Sequence, residues 1–502
     1  MLKNNKPLII CLVLVILIFA LAFPSFYASG DEHSYIKTAN LLSKGSVVEE
    51  KVLYAAGSVQ TDQGFIPNVA INFPLFLIPF VFLGIPLIFF FSLLLHIVNT
   101  TLFSLILSKL KLPQKYVFLY AFFPALLWLS RTLYPQLLAI TFLLAGFLLY
   151  VHADSLKNNP KRIFLFLSAF VFGFAVFVRP DAAVLMMFLV LAVLWKKRKE
   201  AIFFFFGFII PALLLFSINI IFYGGITTTS YGHSWTSLLA SIFLGISIFD
   251  LVVYALAFVL IYPLMLFSFC PKFKTKYSLE LFALFFGGLV LQAGLSELLA
   301  FSVNPASFFF INFRYLSLGV PFILLAYPHF LESFLSVKID LLLKKVKFNF
   351  VNYNKLFAIV MVLFILLCLV FSFVHLDFVN DRKEVRDQIV LSTPEDALMI
   401  GSSDDKIYFI KEILGNRRYV SITPQNDIRG FEGSAEDYFD DKTYILQLTY
   451  ANREDSNSHR QTTNIDVERE AINDFIEENS DKLELIFDTK NPHNLRIYKL
   501  KN

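Results

Sequence analysis

The sequence predicts a mainly α protein: a polytopic transmembrane helical bundle of about 11 helices, N-terminus in and C-terminus out, followed by a C-terminal extracytoplasmic α/β domain. Three observations predict it. Of 502 residues, 57% are hydrophobic and only 16% charged, with 60 Phe, far more apolar surface than a soluble core of this size can bury, so the excess faces lipid. Apolar runs at 8–27, 201–223, 251–269 and 356–374 approach or exceed the roughly 20 residues that cross a ~30 Å hydrocarbon layer. Beyond residue 378 the composition turns abruptly polar.

The elements follow in order. Lys3 and Lys6 precede an apolar run that ends at Ala28-Ser29-Gly30. That pattern has a signal-peptide reading, but the run exceeds the ~7–15 residues of a signal h-region, so a retained first helix is expected. Basic residues mark cytoplasmic loops, and six clusters fall between apolar runs: Lys3/Lys6, Lys109/Lys111/Lys115, Lys157/Lys161/Arg162, the run 196–199, Lys272/Lys274/Lys276, and Lys338/Lys344/Lys345/Lys347. All six lie inside if crossings run at about 8–28, 86–108, 116–130, 137–152, 163–178, 182–195, 201–223, 248–270, 279–299, 315–334 and 356–378. The apolar stretch 73–84 is too short to cross, carries Pro74 and Pro79, and is expected to lie at the outer interface.

Residues 379–502 alternate between strand patterns at 397–401, 418–422 and 444–450 and helical patterns at 405–414 and 467–480, which predicts a small domain with a partly parallel sheet. The expected organisation is a transmembrane catalytic domain over 1–378, with a first outer loop and interfacial helices at 29–84, and a soluble domain over 379–502. The net charge of +4 is spread over short loops, so nucleic acid is not an expected partner; the lipid bilayer is. The three cysteines, Cys11, Cys270 and Cys368, have neither disulfide nor metal-ligand spacing.

Polar residues gather on the predicted outer side. Asp31 and Glu32 directly follow the first helix, with Tyr35 close behind. A carboxylate above the bilayer can accept a proton from an attacking hydroxyl; the alternative is a solvated acidic turn at a helix end. Arg131, Arg179 and Arg314 sit at helix boundaries against the positive-inside trend, and each needs a partner. A lipid phosphate suits a guanidinium fork; snorkelling, or for Arg179 a pairing with Asp181, is the alternative. Tyr231-Gly232-His233-Ser234-Trp235 could stack on a sugar or be an interfacial aromatic cluster. His96 and Asn99, one turn apart in the second helix, suit helix–helix hydrogen bonds better than metal ligation. His33 lacks a spaced partner for a metal site.

The string Gly30-Asp31-Glu32-His33-Ser34-Tyr35-Ile36-Lys37-Thr38-Ala39-Asn40-Leu41-Leu42 after one helix resembles the first outer loop of the GT-C class membrane glycosyltransferases, which include the protein O-mannosyltransferases and the lipid A aminoarabinose transferases. Asn72-Phe73-Pro74, Ser130-Arg131-Thr132-Leu133-Tyr134-Pro135, Val178-Arg179-Pro180-Asp181 and Arg314-Tyr315-Leu316 resemble the same group in the same order. The match covers most of 1–334.

The resemblance implies inverting transfer of a hexose or pentose from a polyprenyl-phosphate-linked donor to a glycan, lipid or protein acceptor on the extracytoplasmic side. It implies Asp31 as general base, Glu32 as orienter of the acceptor or of Asp31, and Arg314, with Arg131, Arg179 and Tyr315, at the donor phosphate. Tyr35, Tyr231, His233 and Trp235 fall to acceptor or sugar binding. Two departures stand out. The family often has a basic residue before its Pro-rich interfacial helix where this chain has Asn72, and an acid where it has Gln136. No metal ligand is therefore assigned, and a divalent-metal requirement stays open. Trp128, Trp195 and Trp235 are the only tryptophans, none of them in the soluble domain, which disfavours oligosaccharyltransferase chemistry. A polytopic transporter or lipid flippase is the alternative reading, though the chain shows no internal repeat.

Overall fold

A computed structural model describes residues 6–48 apart from 28, then 58–61, 64–67, 69–226, 252, 254, 265–270, 275–295, 316–335, 353–401, 418–421, 441–449, 464–490 and 494–501. By its internal contacts the chain divides into two units, one of residues 1–23, 89–229 and 233–374, the other of 24–88, 230–232 and 375–502.

The first unit is helical because its apolar runs must satisfy every backbone group internally in lipid. Its described helices are α1 (Lys6–Leu21), α5 (Phe90–Lys109), α6 (Val117–Ala121), α7 (Pro124–Leu129), α8 (Gln136–Ala153), α9 (Asn158–Val178), α10 (Ala183–Lys196), α11 (Arg198–Tyr223), α12 (Ser278–Leu295), α13 (Val320–Phe330) and the first part of α14 (Tyr353–Ser392). Among the described residues five helical stretches are long and apolar enough to cross a membrane: Ile85–Lys109, Gln136–Ala153, Asn158–Val178, Arg198–Tyr223 and Tyr353–Ser392. Only 17% of the apolar window of α14 is buried, and Leu363, Leu366 and Val370 are exposed along it. Among the described residues little packs on that face, and its apolar composition suits lipid.

The expected single crossing at 116–130 is instead two short helices, α6 and α7, at ~1.5 Å rise per residue each too short to span. Pro124 has no N–H and disfavours the helical conformation at the residue before it. Phe123 is accordingly extended, with φ −68° and ψ 120°.

Charged groups fasten the helix ends. Asp154 lies 2.6 Å from Lys197, 3.1 Å from Lys276 and 4.0 Å from Lys161, so three of the basic clusters assigned to the inside meet at one carboxylate. Burial alone would raise the pKa of Asp154, but hydrogen bonds and charge from Lys197 and Lys276 outweigh it and hold the carboxyl below its usual range. Glu280, fully buried, takes Lys196 at 3.0 Å and the Tyr150 hydroxyl at 2.9 Å. Lys115 meets Glu332 at 2.8 Å.

The second unit contains α2 (Gly30–Ser43), the hairpin β1 (Ser58–Thr61) and β2 (Gly64–Pro67), α3 (Asn72–Val81), α4 (Ile85–Ile88), the remainder of α14, and the C-terminal α/β region. The latter holds β3 (Leu398–Gly401), β4 (Arg418–Ser421), β5 (Thr443–Thr449), α15 (Asn464–Glu478), β6 (Leu483–Thr489) and β7 (Asn494–Leu500). The sheet order is β4-β3-β5-β7-β6, with β3 parallel to β4 and β5 and the β5/β7 and β7/β6 pairs antiparallel. Ala471, Ile472, Phe475 and Ile476 of α15 cover Leu398, Ile400, Ile445 and Leu483, a one-sided sandwich of helix on sheet. The predicted partly parallel sheet and the helix near 467–480 are present; the helical pattern at 405–414 lies outside the described residues.

Candidate functional site

In the second unit, α2 begins at the predicted acidic pair. Ser29, extended at φ −137° and ψ 159°, is the N-cap. Its Oγ accepts the Glu32 N–H at 3.3 Å, and Glu32 Oε2 accepts the Ser29 N–H at 3.0 Å. This reciprocal capping box satisfies two donors that a helix start otherwise leaves open. It also explains why a glutamate is only 1% exposed: the side chain folds back on its own helix. Asp31, its neighbour in the first turn, is exposed. The pair of carboxylates is therefore divided, one bound into the cap and one presented outward. Tyr35, one turn on, is buried with its ring edge-on to Phe73 of α3, centroids 5.0 Å apart. That contact packs α2 against α3, and His33 is buried beside Tyr27. α3 itself is only ten residues long, ~15 Å at helical rise, too short to cross.

In the first unit, α5 supplies hydrogen-bond donors to carbonyls at the end of α6, in the turn after α7 and at the start of α8. Ser92, His96 and Asn99, spaced four and three apart on one face of α5, donate to the carbonyls of Thr132 (2.6 Å), Ala121 (3.1 Å) and Leu137 (2.9 Å). His96 is thus a helix–helix donor, as its sequence context indicated. From α14, the Cys368 thiol reaches the Phe122 carbonyl at 3.3 Å.

This framework fixes the turn after α7, and Arg131 stands on that turn. Arg131 is 1% exposed, and among the described residues Nε, Nη1 and Nη2 all lack a hydrogen-bond partner. Arginine stays protonated, so this is a full buried charge with five donors unmet. Such a charge costs several kcal/mol unless something anionic meets it. Arg131 lines a narrow crevice of about 10 Å³ together with Pro124, Leu127, Trp128, Cys368, Phe371 and Ser372. Among the described residues every other wall is apolar or weakly polar, so the arginine is the one charge they place there.

Arg179 contrasts with it. Following the end of α9, it is held by Asp181 through Nε to Oδ1 at 2.7 Å and Nη2 to Oδ2 at 2.6 Å, a forked, charge-assisted pair that balances its charge, the partner that its sequence neighbourhood offered. Arg314, Tyr315, Tyr231, His233 and Trp235 lie outside the described residues. The N–H of Leu316 is held by Gln292 Oε1 at 3.0 Å from α12. Gly288 of α12 and Gly319 lie so close that a Cβ on Gly288 would stand 2.9 Å from Gly319 N and Cα. Gln292 and this glycine pair fix the backbone between Leu316 and Gly319, and sequence reasoning missed both; a buried glutamine in an apolar helix was the available signal. Among the described residues no three His, Cys, Asp or Glu side chains gather as a metal-ligand set.

No protein-family model matches this chain, and no curated protein is similar to it in sequence. Solved structures are similar in fold. The crystal structure of ArnT from Cupriavidus metallidurans bound to undecaprenyl phosphate aligns with a TM-score of 0.57 at 9% identity, covering 98% of this chain and 97% of that one. The same protein in the apo state aligns with a TM-score of 0.55, also at 9% identity and over the same shares of the two chains. A match of that extent at so low an identity speaks to architecture, and it agrees with the resemblance of the first outer loop. The chain is a membrane protein with the fold of these ArnT structures.

Proposed function

We propose that this protein is a membrane glycosyltransferase that takes a sugar from a polyprenyl-phosphate donor and transfers it, with inversion, to an acceptor on the extracytoplasmic side. The observation that carries the reading is Arg131: a buried guanidinium with no hydrogen-bond partner among the described residues, in an otherwise uncharged crevice. A phosphate monoester or diester on an apolar tail supplies the anion that this guanidinium lacks, and its tail matches the apolar side chains around it, once the crevice widens to admit the head. The bound undecaprenyl phosphate of the ArnT crystal structure supports the same ligand class here.

In the proposed reaction Asp31, exposed in the first turn of α2, takes the proton from the attacking acceptor. Glu32, committed to the capping box, holds that turn in place rather than touching the acceptor. As the glycosidic bond breaks, the lipid phosphate gains negative charge, so a fixed cation lowers the barrier more than it stabilises the ground state. Arg131 supplies that cation together with Arg314, and Tyr315 donates a hydrogen bond to the phosphate; Arg179, balanced by Asp181, helps shape the donor site. Tyr231, His233 and Trp235 contact the sugar or acceptor, and Tyr35 supports the acceptor side through α3.

The test is transfer by purified protein from labelled polyprenyl-phosphate sugars. Asp31→Asn is expected to lower turnover by about 100-fold or more while folding and membrane insertion stay normal. Full activity of that variant would remove Asp31 from the mechanism. Arg131→Met is expected to lower kcat/KM by about 100-fold or more; an unchanged value would assign the phosphate to another group.

A further inference from the structure

The face of the C-terminal sheet that α15 covers does not stay apolar along its length. Ile445 lies opposite Tyr498, then Gln447 opposite Arg496, then Thr449 opposite Asn494. Directly opposed residues share a face, so the row that begins under α15 with Ile445, Tyr498 and Leu500 continues into Gln447, Arg496 and Asn494.

On the neighbouring strand β6, Leu485 is opposite Tyr498 and belongs to the same face, and the ladder then slips by one residue: Phe487 pairs with Ile497 and Asp488 with Arg496. In a regular strand Asp488, three residues beyond Leu485, would point away. The bulge between Leu485 and Phe487 turns it back to the Arg496 side. Re-aiming a side chain is what a β-bulge does beside functional sites.

The result is a shallow polar cup of about 150 Å³ lined by Gln447, Asp488, Lys490, Asn494 and Arg496, room for one small polar group rather than a whole drug-sized ligand. Its floor is oriented: Gln447 Nε2 donates to Asn473 Oδ1 at 2.7 Å, and the Tyr498 hydroxyl donates to Gln447 Oε1 at 3.1 Å. The Arg496 Nε to Asp488 Oδ2 separation is 3.5 Å, with both side chains nearly half exposed, a contact that contributes little to folding and leaves both groups able to meet a ligand. The lining has two cations, one carboxylate and two amides. The amides and the carboxylate suit hydroxyl groups, and the surplus positive charge suits an acidic substituent.

We propose that this cup binds an anionic saccharide, a sugar bearing a carboxylate or phosphate group, with Arg496 and Lys490 on the acidic group and Asp488, Gln447 and Asn494 on the hydroxyls. The assignment stands apart from the transferase reading and is tested by binding alone. Full-length protein in detergent is titrated calorimetrically with galacturonic acid, galactose 6-phosphate, galactose and inorganic phosphate. At least one acidic sugar is expected to bind ten-fold or more tightly than galactose and than inorganic phosphate. Arg496→Ala and Asp488→Asn are each expected to weaken it ten-fold or more with thermal unfolding unchanged, and Lys499→Ala, on the opposite face of β7, to leave it intact. No saturable binding, equal binding of phosphate, or binding indifferent to Arg496→Ala and Asp488→Asn would overturn the proposal. Should either variant misfold, Arg496→Lys and Asp488→Glu keep the charges and are expected to bind more weakly by three-fold or more; unchanged affinity in both would equally overturn it.

Discussion

Arg131 and Glu32 show how differently two buried charged side chains can behave. Glu32 accepts from the backbone and side chain of Ser29, so its burial is tied to helix initiation. Arg131 has no such outlet among the described residues. In detergent without lipid, Arg131→Met is therefore expected to raise thermal stability, by about 1–4 kcal/mol if an uncompensated charge is replaced by apolar volume. Polyprenyl phosphate should raise the melting temperature of the unmodified protein, because a ligand of the native state stabilises it by mass action, and should leave Arg131→Met unmoved. Equal lipid-induced shifts in both would sink the assignment. At this scale the sequence was partly legible. Arginine against the charge trend marked Arg131, and Asp181 two residues on marked the pairing of Arg179. That Glu32 closes a capping box is also written in Ser29-x-x-Glu32, a spacing that chemistry-minded reading of Asp31-Glu32 passed over.

Elements show where local rules gave way to context. The helices α5, α8, α9, α10, α11 and α12 fall within a few residues of the expected crossings, because long apolar runs leave the backbone no alternative in lipid. The crossing at 116–130 does not, because hydropathy registers apolar length and ignores the break that Pro124 imposes. Strands β6 and β7 escaped notice because Glu484, Asp488, Arg496 and Lys499 interrupt their apolar alternation, and the bulge disrupts the period itself. Removing the N-cap by Ser29→Ala is expected to cost about 1 kcal/mol, read as a lower melting temperature. At the helix ends, Asp154→Asn should destabilise on the order of 2 kcal/mol, between the values for exposed and fully buried ion pairs, and chemical denaturation would measure it. Since the folded carboxyl titrates below its unfolded value, this contribution is complete above about pH 4 and fades as pH falls through the folded pKa. Stability of the Asp154→Asn variant should therefore converge with that of the parent protein only in acid.

For the whole molecule, composition was enough to set a membrane bundle followed by an α/β region, since neither depends on detail. Sidedness rests on the basic clusters, and three of them meeting at Asp154 gives it a single testable locus. A membrane-impermeant thiol reagent applied to intact cells is expected to label Asp31→Cys and Lys490→Cys and to spare Lys199→Cys until the membrane is opened. Labelling of Lys199→Cys in sealed cells would invert the arrangement and remove the proposed base from the outer side. Which sugar and which acceptor are used was never legible in apolar periodicity, because cavity shape decides them.

The interrupted stretch between α6 and α7 also bears on biogenesis. Its bare carbonyls are met by a ring nitrogen from the helix before it and by a thiol from the last membrane helix, made long afterwards. On leaving the translocon this stretch cannot settle in hydrocarbon by itself, and it must wait in a wetter place until residue 368 has been synthesised. A nascent chain arrested before residue 353 should hold the stretch open to aqueous alkylation, and one released after residue 392 should protect it.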